Sequence, residues 1–344
     1  MDIICRPNPT IENSGLSELE FNLLNSFQKE LPMVSQPFLC IAKLLGVSEE
    51  VVIERIGTLK KRGYISRVGA VFKPNTVGAS LLVAATVPKE QLDYVASMVS
   101  DLDGVNHNYE RDHLLNLWFV IAGETFEKIR LVLKDLELRI ECGALLVLPL
   151  VEQYHIDLGF PLNIEHSFSR EKFYLTPKRV KTFIPSETDR KLMHWLQEGL
   201  NVISKPFVNS VLSEEETINT IKDWTDIGVI KRFAIVVRHH ELGFNANAMV
   251  VWDVPDEIVS EIGKTIALSG LVTLCYRRPR RLPDWPFNLF CMIHGKNKID
   301  VETQIKYLSK KFGLLNFSRE ILFSKKRYKQ CGAKYFSLNG APNG

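Results

Sequence analysis

Residues 63–78 read GYISRVGAVFKPNTVG, and residues 228–243 read GVIKRFAIVVRHHELG. Five positions coincide at one offset of 165 residues: Gly63 with Gly228, Ile65 with Ile230, Arg67 with Arg232, Val71 with Val236 and Gly78 with Gly243. The match continues downstream at slightly longer offsets. Thr86-Val87-Pro88 answers Asp253-Val254-Pro255, Asn108-Tyr109-Glu110-Arg111 answers Cys275-Tyr276-Arg277-Arg278, and Asn116-Leu117-Trp118-Phe119 answers Asn288-Leu289-Phe290-Cys291. Changing offsets mark loop insertions, which cost a chain little. The 344-residue chain is one unit written twice, with a period far longer than that of a solenoid repeat.

Upstream of the quoted stretch the pattern is helical. Leu19, Leu23, Leu24 and Phe27 recur at helical spacing within 16–31. A second helix is predicted over 37–45, turned by Gly46-Val47. Ser48 caps a third, with Glu49 and Glu50 in its first turn. Gly63 stops it, and 64–72 reads as a two-stranded wing. Downstream, strands and helices alternate: strand 79–87, helix 89–100, strands 105–111 and 116–122, helix 126–136, closing strand 144–150. The second copy repeats this as strand 244–254, helix 256–268, strands 271–278 and 286–294, helix 298–312 and strand 318–324.

The fold class is therefore α+β: two tandem units, each a winged helix-turn-helix followed by a ferredoxin-like βαββαβ domain. The boundaries are 14–75 and 76–160 for the first copy, a linker at 161–184, a degenerate winged helix-turn-helix at 185–240, and a second ferredoxin-like domain at 241–337. Pro161, Pro177 and Pro185 punctuate the join. This is the Lrp/AsnC architecture, which names a scaffold and leaves function open.

DNA binding is the obvious reading of two helix-turn-helix domains, and the residues oppose it. Aligning Pro37-Phe38 with Pro206-Phe207 and Ser48-Glu49 with Ser213-Glu214 leaves the second copy four residues short. The second helix and its turn are what is missing, and that turn presents a recognition helix to the major groove. Its counterpart of the recognition helix, 213–228, carries Glu214, Glu215, Glu216, Asp223 and Asp226 against Lys222 alone. Phosphate repels such a face. The chain's net charge of +3 adds no basic stripe.

Other classes are excluded more simply. The cysteines, Cys5, Cys40, Cys142, Cys275, Cys291 and Cys331, form no C-x-x-C pair, so neither a zinc site nor a redox dithiol is expected. No nucleotide-binding glycine motif or serine-hydrolase elbow is present. No apolar run approaches the ~20 residues that span a bilayer, and 1–7 lacks a signal-peptide core. A cytoplasmic protein that binds no membrane is expected.

Four stretches go beyond the scaffold. They are His107-Asn108-Tyr109-Glu110-Arg111 with Asn116-Leu117-Trp118-Phe119; Tyr154-His155-Ile156-Asp157-Leu158-Gly159-Phe160; Asn245 to Trp252, reading NANAMVVW; and Cys275-Tyr276-Arg277-Arg278-Pro279 with Trp285-Pro286-Phe287-Asn288-Leu289-Phe290. They resemble the signature stretches of siroheme decarboxylases. That resemblance implies removal of acetate carboxyl groups from siroheme to give 12,18-didecarboxysiroheme, on the heme d1 route or on the siroheme-dependent heme route. The tandem fusion resembles the heme d1 branch. Leu274 departs from the pattern, because members often carry histidine there. This implies unequal halves. The alternatives are an Lrp/AsnC-type regulator and a non-catalytic tetrapyrrole-binding subunit.

Siroheme is a flat ring with eight carboxylates. Holding it takes cationic forks and aromatic walls. Arg67, Arg232, Arg238, Arg277 and Arg278 are the expected carboxylate binders, with Asn116, Trp118, Tyr276 and Asn288 beside them. His107, Tyr109 and Arg111 are the expected catalytic group. They alternate along one strand and so share one face. His107 is the first choice as proton donor; ligation of the substrate iron by a histidine is left open. No metal site and no cofactor are expected, since iron arrives with the substrate. An intramolecular pseudo-dimer is expected, with a homo-oligomer or related decarboxylase subunits as further partners.

Overall fold

The computed structural model describes residues 15–156, 183–209, 211–238 and 246–336. Most of the expected linker, 161–182, lies outside the described residues. The compact units of the molecule are not the two sequence repeats. One combines Ser80–Phe160 with Gly243–Cys331, and the other combines Asn8–Ala79 with Pro161–Leu242 and Gly332–Gly344. Each gathers like with like across the repeat.

In the winged-helix unit, α1 (Glu18–Phe27) starts at a capping box between Ser17 and Glu20, α2 (Pro37–Leu45) ends at Gly46 with φ +68°, and α3 (Glu49–Lys61) is capped by Ser48. The second copy has α6 (Glu187–Glu198) and α7 (Glu214–Asp226), capped by Ser186 and Ser213. Among the described residues of 199–213 there is no helix, as the four-residue deletion requires.

The wing differs from expectation. Residues Ile65–Phe72 form a single strand, β1, which pairs antiparallel with β7 (Ile230–Val237) of the other repeat. The apolar run is too continuous to fold back on itself, and pairing with its own copy buries both sides. Gly69 lies opposite Ala234, its counterpart at the 165-residue offset, so a pseudo-dyad passes through this ladder. Hydrogen bonds repeat about it: Leu31 N–H to the Phe233 carbonyl and Leu200 N–H to the Val68 carbonyl, both 2.7 Å.

The other unit holds both ferredoxin-like domains: β2 (Ala79–Ala85), α4 (Leu92–Asp101), β3 (Val105–Arg111), β4 (Leu117–Gly123), α5 (Phe126–Ile140) and β5 (Leu146–Pro149); then β8 (Ala246–Trp252), α8 (Val259–Leu268), β9 (Leu274–Arg277), β10 (Leu289–Gly295), α9 (Lys298–Lys311) and β11 (Arg319–Gln330). Sequence reading placed the elements and missed their ends. The first closing strand resumes after Leu150 and Val151 as β6 (Glu152–Ile156), and β11 runs to Gln330 instead of stopping at 324. Each closing strand first pairs within its own half and then crosses to the other. β5 lies on β2 and β6 on β9; the start of β11 lies on β8 and its end on β3.

The result is one nine-stranded sheet, β5-β2-β4-β3-β11-β8-β10-β9-β6. Its two edge strands, β5 and β6, are consecutive in the chain. The expected pseudo-dimer is realised inside one chain. The inner faces of the two halves share a core of Leu82, Ala84, Trp118, Leu148, Met249, Val251, Trp285, Phe287, Phe290 and Leu322. The outer face of the second half packs on its helices through Val254, Val259, Ile266, Val301, Ile305 and Leu308. Residues 332–336, expected in the second ferredoxin-like domain, instead join the winged-helix unit. There Gln197 Nε2 donates to the Phe336 carbonyl and its Oε1 accepts from Tyr335 N–H.

Candidate active site

Strand alternation puts His107, Tyr109 and Arg111 on the inner face of the sheet. Tyr109 pairs with Trp118 and His107 with Val120 across the β3–β4 ladder, and both partners face that core. Asn108 points the other way, where its Nδ2 donates to the Ala96 carbonyl on α4 at 2.8 Å. Tyr276 and Arg278 occupy the same face in the second half, as Tyr276 pairs with Phe290.

The two arginines meet the interior in the same way. Arg111 Nη1 donates to the Leu322 carbonyl on β11 at 2.9 Å, and Arg278 Nη1 donates to the Leu148 carbonyl on β5. Each reaches from one repeat to the closing strand of the other. Their guanidinium carbons lie 5.7 Å and 5.2 Å from the ring centres of Tyr109 and Tyr276. They are 7% and 9% exposed, and the Nε of each has no hydrogen-bond partner. Among the described residues neither has a carboxylate partner; the neighbouring titratable groups are tyrosines. Burial lowers both to about 10, so both stay charged at neutral pH. A buried charge without a counter-ion costs several kcal/mol. An anionic group placed between them would satisfy both charges.

His107 stacks near Tyr109, with ring centres 6.3 Å apart and planes at 25°. It is half-buried. Burial, and then the Arg111 charge, push its pKa down to about 4. The imidazole is therefore neutral at pH 7 while no anion is bound. Burial pushes the Tyr276 phenol well up, so it stays a hydroxyl. Trp285, Trp118 and Phe290 form an aromatic cluster beside these groups, at 5.3 Å and 6.2 Å between ring centres.

Other expected site residues have different work. Asn116 and Asn288 are corrected to fold clamps. Asn116 Oδ1 accepts from Val87 N–H at 2.9 Å and its Nδ2 donates to the Val87 carbonyl at 2.8 Å. Asn288 makes the same pair of bonds to Val254. Arg277 is also corrected. It alternates away from Tyr276 and Arg278 and bonds Asp256 at 2.8 Å. Trp118 is core, 2% exposed, with Nε1 donating to the Leu115 carbonyl. Arg67, Arg232 and Arg238 belong to the winged-helix unit. Arg67 Nη2 donates to the Ala70 carbonyl and Arg232 Nη1 to the Gln28 carbonyl. Within the sandwich, the structure brings together His107, Tyr109, Arg111, Tyr276 and Arg278.

What sequence reasoning missed is the far end of β11. Ser324, Arg327 and Gln330 stand opposite Arg111, Tyr109 and His107. The stretch SKKRYKQ, 324–330, carries no apolar period, so nothing marked it as a strand of the other half.

Known proteins place this arrangement. Residues 77–155 and 241–329 match the model of an AsnC-like ligand binding domain, and residues 20–65 match that of a siroheme decarboxylase NirDL-like HTH domain. The siroheme decarboxylase NirDL subunit of Paracoccus pantotrophus is 37% identical over 92% of this chain and 97% of its own. The NirD subunit of Pseudomonas aeruginosa is 42% identical over 43% of this chain and 97% of its own, so it corresponds to a single repeat. A crystal structure of the siroheme decarboxylase NirDL with an iron-uroporphyrin III analogue superposes with a TM-score of 0.65 at 26% identity, covering 92% of this chain and 95% of that one. The chain belongs to the siroheme decarboxylase family.

Proposed function

We propose that this protein removes acetate carboxyl groups from siroheme to give 12,18-didecarboxysiroheme, on the heme d1 branch. The observation that carries the reading is the pair Arg111 and Arg278, two buried guanidiniums on one inner face that have no carboxylate partner among the described residues. A polyanionic macrocycle provides the counter-charges. The tandem fusion, spanning a fused relative almost end to end, favours the heme d1 branch over separately encoded subunits.

In this reaction the bond between the acetate methylene and its carboxylate carbon breaks. CO2 leaves, and the electron pair stays on the methylene carbon, conjugated into the ring. A proton must then reach that carbon. Arg111 and Arg278 hold the retained carboxylates in a medium that strengthens their attraction. His107 is neutral until a carboxylate arrives beside it, so substrate brings the charge that raises its pKa and loads it with a proton. It then donates that proton to the methylene carbon, with Tyr109 stacked alongside to fix the ring. This is a carboxy-lyase chemistry that uses no cofactor beyond the substrate's own ring and iron. Both halves of the nine-stranded sheet come from one chain.

The regulator reading is set aside on one geometric point. The N-termini of α3 and α7, where base-reading residues sit, are engaged across the repeat: Ser204 Oγ donates to Glu49 and Ser35 Oγ donates to Glu214 at 2.8 Å. The test is anaerobic incubation of the purified chain with siroheme, followed by product mass. Loss of two CO2 units is expected. Binding without mass loss would point to the non-catalytic subunit, and neither binding nor turnover would overturn the proposal.

A further inference from the structure

Residues 324–330 of β11 face β3 in an irregular register. Along β3 the inner-face residues are spaced by two: His107, Tyr109, Arg111. Their partners on β11 are spaced by three: Gln330, Arg327, Ser324. Two bulges, between Ser324 and Lys326 and between Arg327 and Lys329, make up the difference. A bulge re-aims a side chain at the cost of a ladder position. Here the pair of them turns Lys326 and Lys329 to the helix side. Lys326 bonds Asp93 at 2.7 Å, and Lys329 Nζ donates to the Ser100 carbonyl. Arg327 is left on the face of Tyr109 and His107.

We propose that Arg327 is a substrate-positioning residue, delivered by the second repeat to the edge of the inner face that carries His107, to hold a carboxylate of the tetrapyrrole. This rests on the siroheme decarboxylase reading. Arg327 is exposed, as a rim group must be, and its Nη1 donates to Gln330 Oε1 at 3.1 Å. Gln330 itself stands opposite His107, so the guanidinium is tethered toward the imidazole's ladder position. The surrounding charges on the outer side are already matched, Lys326 with Asp93 and Lys325 with Asp112.

The second half lacks this device. On β6 the residue opposite Tyr276 is the neutral Gln153, and the counterpart of His107 is Leu274. Among the described residues, imidazole and cation thus stand together on the β3 face and are both missing at the matching positions of the β9 face. The productive face is then the one on β3, and it is composite, since its cation comes from β11 of the second repeat.

The test uses the full chain with Arg327→Gln, Arg327→Lys and, as an outer-face control, Lys325→Gln. Turnover of siroheme and titration with iron-uroporphyrin III at low and high salt are both read. Arg327→Gln should raise KM and Kd at least about tenfold, leave kcat within about twofold and flatten the salt dependence. Lysine should restore most of the affinity, and the control should behave as wild type. An active wild type with Arg327→Gln unchanged in both KM and Kd overturns the role of Arg327 alone. An inactive, non-binding wild type overturns the reading beneath it.

Discussion

Arg111 and Leu322 lie 211 residues apart in the chain and are joined by a guanidinium-to-carbonyl hydrogen bond of 2.9 Å. Arg278 makes the matching bond to Leu148. The two bonds cross between repeats in opposite directions, so each closing strand is held by a cation of the other half. The proposed function assigns those cations to the ligand more than to the fold.

Arg111→Met and Arg278→Met test that division. Truncating one member of a buried ion pair costs 3–5 kcal/mol, because a charge is left behind. Here no charge is stranded, only the Leu322 or Leu148 carbonyl. Loss of one hydrogen bond is offset by relief of desolvation, so stability should shift by no more than about 1 kcal/mol. Affinity for iron-uroporphyrin III should fall at least about tenfold. Thermal melts beside absorbance titrations decide it. A large drop in Tm with unchanged affinity would assign both residues to the fold.

His107 links binding to protons. Its folded pKa of about 4 lies below the ordinary 6.5, so between these values the unfolded chain binds more protons than the folded one. Stability contributed by the neutral ring is present above pH 6.5 and lost as pH falls toward about 4. A bound carboxylate raises the pKa, so binding takes up a proton, and affinity weakens as pH rises from about 4 through the bound-state value. Titration calorimetry in buffers of different ionisation heat should register this uptake, and His107→Leu should abolish it. Equal uptake in the variant would remove His107 from the proton path.

Asn116→Ala and Asn288→Ala should cost stability and leave substrate affinity alone. Each removes both partners of a backbone N–H and carbonyl, at Val87 or Val254. A buried amide left unpaired costs about 1–3 kcal/mol. Urea midpoints should drop for both variants while Kd for iron-uroporphyrin III stays within about twofold. A tenfold rise in Kd with an unchanged midpoint would return them to the binding site.

Duplex DNA should not bind. α7 opens with Glu214, Glu215 and Glu216, and the start of α3 is tied to Ser204. Fluorescence anisotropy with a labelled duplex should stay flat at moderate salt. A saturable rise that weakens steeply with added salt would revive the regulator reading.

The element types were legible because periodicity reports burial one residue at a time. Leu19, Leu23, Leu24 and Phe27 announce α1, the deletion before Ser213 announces the missing helix, and alternation puts His107, Tyr109 and Arg111 on one face. The strand ends were not legible. The fold reuses β6 and the end of β11 as edge strands of the opposite half, and pairing between distant polar segments leaves no local mark. For the same reason Asn116 and Asn288 read as ligand groups: a polar residue beside a signature motif looks alike whether it faces a substrate or a backbone.

By the resemblance of four stretches the sequence pointed to siroheme decarboxylases; by itself it determined a duplicated α+β unit and which strand carries the imidazole. Local propensity and hydrophobic spacing suffice for that, because they act between near neighbours. Only the tertiary structure decided that like domains pair with like, that Arg111 and Arg278 are buried without a carboxylate partner among the described residues, and that β11 brings Arg327 opposite Tyr109. Those facts depend on which distant segments meet, and burial of a charge is a property of the whole enclosure.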